Sequence, residues 1–163
     1  MTRAHWTHMG LLMTCAALSS CASEEVRRMH SLNNALERSS EARRDPSLAQ
    51  GWLATLANRN GRERIELIDL RNGTPVATPG LNRADAQPVS ISLSSDGERL
   101  AVVQQRDGRT ELMLYRRSIA AVQRLEINPA GVPRQVSLDG DGRTLAVQVS
   151  RGGRWEVDII RLP

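Results

Sequence analysis

The sequence has very few aromatic side chains. It contains no phenylalanine, one tyrosine and three tryptophans among 163 residues. A core must therefore be built from Leu, Val, Ile and Ala. Apolar residues make up 40% of the chain, which is ordinary for a folded protein, and the length suffices for one domain with a sizeable core.

Lysine is absent, and all 22 basic residues are arginine. The 18 acidic residues lie among these arginines, as in the stretch Gly61–Glu66, and the net charge is only +4. Proteins that bind nucleic acids cluster their basic residues on one face and add aromatic stacking platforms. The scarcity of aromatics and the mixed charges therefore predict that no nucleic acid is bound.

Cysteine is confined to Cys15 and Cys21, and both belong to an N-terminal segment with the features of an export signal. Arg3 lies in a short basic start, and the apolar run Met9–Leu18 follows. This run of about ten residues is too short to span a bilayer core of about 30 Å. We interpret residues 1–20 as a signal peptide.

The residues before Cys21 define the kind of signal. Leu18, Ser19 and Ser20 precede it, and this stretch resembles the bacterial lipobox, in which the cysteine thiol receives a diacylglycerol. Cys15 follows a bulky methionine and a threonine and is a poorer candidate. The alternative is an ordinary thiol after an ordinary signal peptide.

The lipobox resemblance implies a place in the cell. A lipid on Cys21 would anchor the mature protein to a membrane, facing the periplasm, without a disulfide. Ala22 follows the cysteine, whereas an Asp at that position holds lipoproteins in the inner membrane of Gram-negative bacteria. We therefore expect the outer membrane rather than the inner one.

Residues 21–48 are predicted to form a helical tether or linker. Apolar residues recur in it at helical spacing: Val26, Met29, Leu32 and Leu36. Arg43 and Arg44 suit the negative end of a helix dipole, and Pro46 would end the helix. The apolar stripe is thin, which fits either loose docking on the domain or a spacer.

The remaining residues, 49–163, contain an internal repeat. Thirteen of 30 residues are identical when Pro88–Arg117 is aligned with Pro133–Leu162 at an offset of 45. A weaker copy, Leu53–Leu70, lies upstream at an offset of 47. The repeats cover about 49–80, 88–128 and 133–163, and their period is close to that of four-stranded propeller blades.

Turns at fixed positions divide each copy into strands. The structural turn residues are Asp96, Gly97, Gly108, Asp141, Gly142 and Gly153. Leu100–Gln104 is nearly all apolar, which is typical of a strand covered on both faces. In the last copy Trp155, Val157 and Ile159 alternate with acidic residues, which is the period of a strand.

The stretch "LSSDGERLAVVQQRDGRTELMLY" is similar to the blade repeat of TolB-like and WD40-like periplasmic propellers. Those blades have a Ser-Pro-Asp-Gly turn, an apolar strand, a charged Gly hairpin and a second apolar strand. Ser95 and, in the next copy, Gly140 replace the proline. The resemblance implies an all-β fold of about three propeller-type blades that serves as a docking surface for envelope proteins.

Three blades need about twelve strands, and the sequence predicts about ten. Closed propellers usually have four to eight blades. We therefore expect an incomplete or open propeller. Either two chains complete a ring as a homo-oligomer, or another protein supplies blades, or the three sheets form an open, curved fragment.

Sequence signatures of catalysis are missing. There is no Gly-x-Ser-x-Gly elbow and no phosphate-binding glycine loop. The mature chain would have His30 as its one histidine and no free thiol, which removes the usual nucleophile and base pairs. Asp139 and Asp141 faintly resemble a calcium loop, but the further carboxylates are absent, so we interpret them as turn residues.

We accordingly expect neither enzyme activity nor a metal or cofactor. The predicted function is a lipid-anchored, non-catalytic protein-binding scaffold of the envelope. The alternatives are a structural or assembly lipoprotein and a sensor of a small ligand.

Overall fold

The computed structural model describes residues 26–38 and 41–163, which form one short helix and three antiparallel sheets. The first sheet contains β1 (Ala42–Ala49), β2 (Trp52–Arg59), β3 (Arg62–Asp69) and β4 (Thr74–Val76). The second contains β5 (Ala86–Leu93), β6 (Arg99–Arg106), β7 (Arg109–Arg116) and β8 (Ala121–Leu125). The third contains β9 (Val132–Leu138), β10 (Thr144–Arg151) and β11 (Arg154–Arg161). In each sheet the strands are neighbours in chain order. The prediction of an all-β fold of three blade-like sheets is confirmed.

The second sheet lies between the other two, which explains the apolar run in β6. Leu100 and Val102 belong to the core shared with the first sheet, and Ala101 and Val103 to the core shared with the third. All four are 0% exposed. Because successive side chains of a strand point to opposite faces, a strand between two sheets must be apolar at every position. Each buried Leu or Val contributes about 1.5–3 kcal/mol.

Both cores are aliphatic, as the composition requires. Only two aromatic side chains, Trp52 and Tyr115, are buried in the described part of the chain, and both lie between the first and second sheets. Gly97, in the turn between β5 and β6, lies directly against the Trp52 ring. A Cβ on Gly97 would be 2.6 Å from this ring, and the backbone φ is +66°. Glycine is therefore required here both for space and for backbone conformation.

The prediction for residues 21–48 is wrong in two respects. The helix α1 (His30–Glu37) ends well before Arg43 and Arg44, and these two arginines belong to β1. Pro46 does not end the helix but lies within β1, where the pairing with β2 shifts register between Arg44 and Ser47. The first blade therefore begins at Ala42, and its first strand, β1, was not predicted from the sequence. We call the first strand of each sheet, β1, β5 or β9, its inner strand.

Both arginines form ion pairs with acids of β3, on the far side of β2 in the sheet. Arg43 Nε lies 2.8 Å from Glu66 Oε2, and Arg44 Nε lies 2.5 Å from Glu63 Oε1. The hydrogen bond from Arg44 lowers the pKa of Glu63 below its ordinary value. β1 is an edge strand, where a proline and a bulge are tolerated.

The helix α1 lies on the outer face of the first sheet. Leu32 and Leu36, which are half-buried, line a cleft together with Ile68 of β3. The Leu36 carbonyl accepts a hydrogen bond from Arg43 Nη1 at 3.0 Å. One end of the stack of sheets is thus covered by α1.

Candidate functional site

The candidate site is the outer face of the third sheet, at the end of the stack opposite α1. Antiparallel pairing puts side chains from its three strands on this face, which we call the open face: Trp155, Val157 and Ile159 of β11, Ala146, Gln148 and Ser150 of β10, and Gln135 and Ser137 of β9. Trp155, Val157 and Ile159 are 56%, 65% and 70% exposed. Exposed apolar side chains in one contiguous group are typical of an interaction surface.

Ion pairs on the opposite side of the sheet determine which residues of β11 face outward. Arg151 of β10 donates to Glu156 Oε2 at 2.9 Å and to Asp158 Oδ1 at 3.0 Å. Hydrogen bonding from Arg151 holds the pKa of Asp158 below its ordinary value. Because the two acids point toward Arg151, the intervening Val157 must point away, onto the open face.

The second sheet shows what normally covers such a face. Val157 and Ile159 correspond in the repeat to Leu112 and Leu114, which belong to the core between the second and third sheets. Leu112 is 1% exposed and Leu114 is 0% exposed. The open face therefore has apolar residues at the positions that are buried between sheets elsewhere, but no sheet packs on it in the described structure.

The sheets are joined by side-chain hydrogen bonds between their inner strands. At the first joint, Asp45 Oδ2 accepts from the Ile91 N–H at 2.6 Å, and Ser47 Oγ accepts from the Leu93 N–H at 3.0 Å. Arg44 donates in the other direction, to the carbonyl of Val89 at 3.0 Å. Inner strands are sheet edges, so these contacts satisfy backbone groups that would otherwise be unpaired.

The second joint repeats the pattern 45 residues later. Ser90 Oγ accepts from the Val136 N–H at 3.4 Å, and Ser92 Oγ accepts from the Leu138 N–H at 2.8 Å. Ser92 and Ser137 are among the identical residues of the repeat, but the identity alone does not indicate this role. The recurrence of serine at 47, 92 and 137 was the available signal.

The predicted turn residues all lie in loops between strands. Asp96 accepts hydrogen bonds from Ser94 Oγ at 2.6 Å and from the Glu98 N–H at 2.9 Å, and the bond from Ser94 lowers its pKa. Asp141 likewise accepts from the Arg143 N–H at 2.7 Å. The four glycines have positive φ angles of +66° to +79°: Gly97, Gly108, Gly142 and Gly153. These residues shape the blades and do not line the open face.

The lipobox residues Leu18, Ser19 and Ser20 and the lipidation candidate Cys21 lie outside the described residues. Within residues 26–38 and 41–163, no group of three or more His, Cys, Asp or Glu side chains is placed to hold a metal ion. Asp139 accepts from the Gly140 N–H at 2.7 Å, as a turn residue does. In the same ranges no helix is long and apolar enough to cross a membrane.

Comparisons with known proteins bear on the fold. No protein-family model matches the sequence, and no curated protein matches it. Among solved structures, TolB from Acinetobacter baumannii is similar with a TM-score of 0.57 and 20% identity over 72% of this chain. The β-propeller domain of the Trilobed protease from Pyrococcus furiosus, which has an open velcro topology, is similar with a TM-score of 0.51 and 14% identity over 76% of this chain. The fold is that of a β-propeller segment.

The match covers only part of these neighbours. The chain spans 29% of the TolB chain and 43% of the Trilobed protease domain. At these identities the likeness shows the fold and leaves function to be argued from the surface of this chain.

The inner-strand joint predicts unequal effects of two serine substitutions. Ser92→Ala should lower the free energy of unfolding by about 1–3 kcal/mol, because it leaves the buried Leu138 N–H without an acceptor. Ser137→Ala is the matched control at the same repeat position on the exposed face, and it should change the free energy by less than about 0.5 kcal/mol. Urea unfolding of the full chain followed by circular dichroism measures both. Equal effects would contradict the role assigned to Ser92.

Proposed function

We propose that this protein is a non-catalytic, protein-binding scaffold of the bacterial cell envelope, anchored by a lipid on Cys21. The open face is its docking surface. The observation on which the proposal mainly rests is the exposure of Trp155, Val157 and Ile159 on a sheet face whose counterpart in the second sheet has the equivalent Leu112 and Leu114 buried.

The composition of the open face supports a protein partner. Its apolar centre is flanked by Arg134, whose guanidinium lies 5.8 Å from the centroid of the Trp155 ring. Tryptophan and arginine are enriched where proteins bind proteins, and they supply much of the binding energy there. The face is the exposed surface of one antiparallel sheet, whereas small molecules are usually enclosed in concave clefts.

The placement of α1 supports the combination of a lipid anchor with docking. Cys21 precedes α1 in the chain, and α1 lies on the first sheet. The open face belongs to the third sheet, with the second sheet between them. An anchor that enters on the side of α1 therefore leaves the open face accessible.

A non-catalytic role is supported by the residue types available. His30, at the start of α1, is exposed and lies on the far side of the stack from the open face. No Cys follows Cys21 in the sequence. A nucleophile with an adjacent base, as most covalent catalysis requires, is not formed from these residues.

Docking predicts that a charge on the open face abolishes capture of the partner. Val157→Asp places an unpaired carboxylate in the apolar centre, whereas Ile119→Asp places the same charge on the turn between β7 and β8. Affinity-tagged full-length proteins are purified from detergent-solubilised envelopes of the producing cells. We expect a stoichiometric partner with the wild type and with Ile119→Asp, reduced at least about tenfold with Val157→Asp. Equal recovery with all three would contradict docking at this face.

Lipid anchoring predicts a second, separate outcome. Cys21→Ser should move the protein from the membrane fraction to the soluble fraction, because two or three acyl chains hold it there by apolar burial at about 0.8 kcal/mol per methylene. Cys15→Ser, in the signal segment, should leave it at the membrane. Fractionation and mass spectrometry of the mature amino terminus measure this. An unmodified terminus, or unchanged partitioning of Cys21→Ser, would contradict the anchor.

A further inference from the structure

The open face retains the polar groups of an inter-sheet joint. Arg134, Gln135 and Ser137 occupy in β9 the positions that Arg44, Asp45 and Ser47 occupy in β1, 90 residues earlier. In β1 these three side chains bind the backbone of the next inner strand. In β9 the equivalent side chains all lie on exposed residues.

The arginine of this set has a side-chain partner in the third sheet as well as in the first. In the first sheet Glu63 Oε1 and Oε2 lie 2.5 and 2.6 Å from the Arg44 guanidinium, which then donates to the carbonyls of Val89 and Pro88. The residue that corresponds to Glu63 through the repeat offsets of 47 and 45 is Trp155. Its ring lies under the guanidinium of Arg134 as a cation–π partner. The position filled by an acid in the first sheet is thus filled in the third by an aromatic ring that also contacts the arginine.

We propose that the open face binds a propeller-type β-sheet of a different protein, with the edge strand of that sheet seated along β9. Arg134 donates to backbone carbonyls of the incoming strand. Gln135 Oε1 and Ser137 Oγ accept from two of its N–H groups, two residues apart. Val157 and Ile159 pack against its apolar side chains. This inference rests on the proposed function, because it names the class of partner that the scaffold binds.

The structure argues against a second copy of this chain as the occupant. The outer face of the first sheet, which would have to dock here, is already covered by α1. Its inner strand has Pro46 where β5 and β9 have the donors Ile91 and Val136, so one of the two N–H groups is missing. Two open faces could not repeat the joint with each other, because the Val136 and Leu138 N–H groups of β9 already donate to Ser90 and Ser92.

The experiment is site-specific photocrosslinking of the full-length protein in the cells that produce it. The substitution Val157→p-benzoylphenylalanine places the reactive group at the centre of the open face, and Ile119→p-benzoylphenylalanine is the control away from it. Adducts are purified and digested, and mass spectrometry identifies the linked peptide. The adduct yield is then measured with Arg134→Ala and Ser137→Ala combined, and with Arg154→Ala as a control that removes the same charge from the β10–β11 hairpin.

We expect an adduct at position 157 with another protein, linked through an edge strand of a propeller-type sheet. The combined Arg134→Ala and Ser137→Ala substitutions should lower its yield about tenfold, since two hydrogen-bonding groups are lost, and Arg154→Ala should not. An adduct between two copies of this chain would overturn the inference. So would an adduct to a helix, or a yield that does not depend on Arg134 and Ser137.

Failure of this inference is distinguishable from failure of the proposed function. If Val157→Asp abolishes capture of a partner but the crosslink leads to a segment that is not a sheet edge, the scaffold role stands and the inference falls. If position 157 gives no adduct and Val157→Asp has no effect on capture, both fall.

Discussion

The stack of sheets depends on one recurring contact, in which side-chain oxygens of one inner strand accept the edge N–H groups of the next. The inner strand of each sheet has a free edge, and unpaired edges tend to recruit other strands. Asp45 and Ser47 satisfy two N–H groups of β5, and Ser90 and Ser92 satisfy two of β9. The contact joins neighbouring sheets along their inner strands, beside the two cores in which their apolar faces meet.

This contact gives the stack a direction. Each inner strand accepts through its side chains from the next inner strand and donates through its backbone N–H groups to the preceding one. The two ends of the stack are therefore chemically different. At one end, the donor side of β1 is interrupted by Pro46, and α1 covers the outer face of the first sheet. At the other end, Gln135 and Ser137 present acceptors next to the exposed Val157 and Ile159. In the described structure α1 therefore packs on one end of the stack, whereas the sheet face at the other end is exposed.

The sequence was most informative where local pattern and tertiary role agree. The apolar run around Val102 predicted a strand buried on both faces, and the alternation around Val157 predicted a strand with one apolar and one polar face. The structure has both.

The strand β1 was not predicted, because its sequence is polar and contains Pro46. In the structure it pairs with β2, and its arginines bind Glu63 and Glu66, which are distant in sequence. The joint was missed because a serine on a strand has the same local signature whether it faces solvent or a neighbouring edge. The lipid anchor on Cys21 remains a prediction from the sequence.

The most direct test of the joint is residue-resolved amide hydrogen exchange of the full chain. The Leu93 and Leu138 amides lie on edge strands, where exchange is fast unless an acceptor is present. The joint predicts that both amides exchange as slowly as the Val102 amide in the middle of the second sheet. Exchange of Leu93 and Leu138 at the rate of exposed loop amides would contradict it, because the sheets would then be held together without the contact on which this stacking depends.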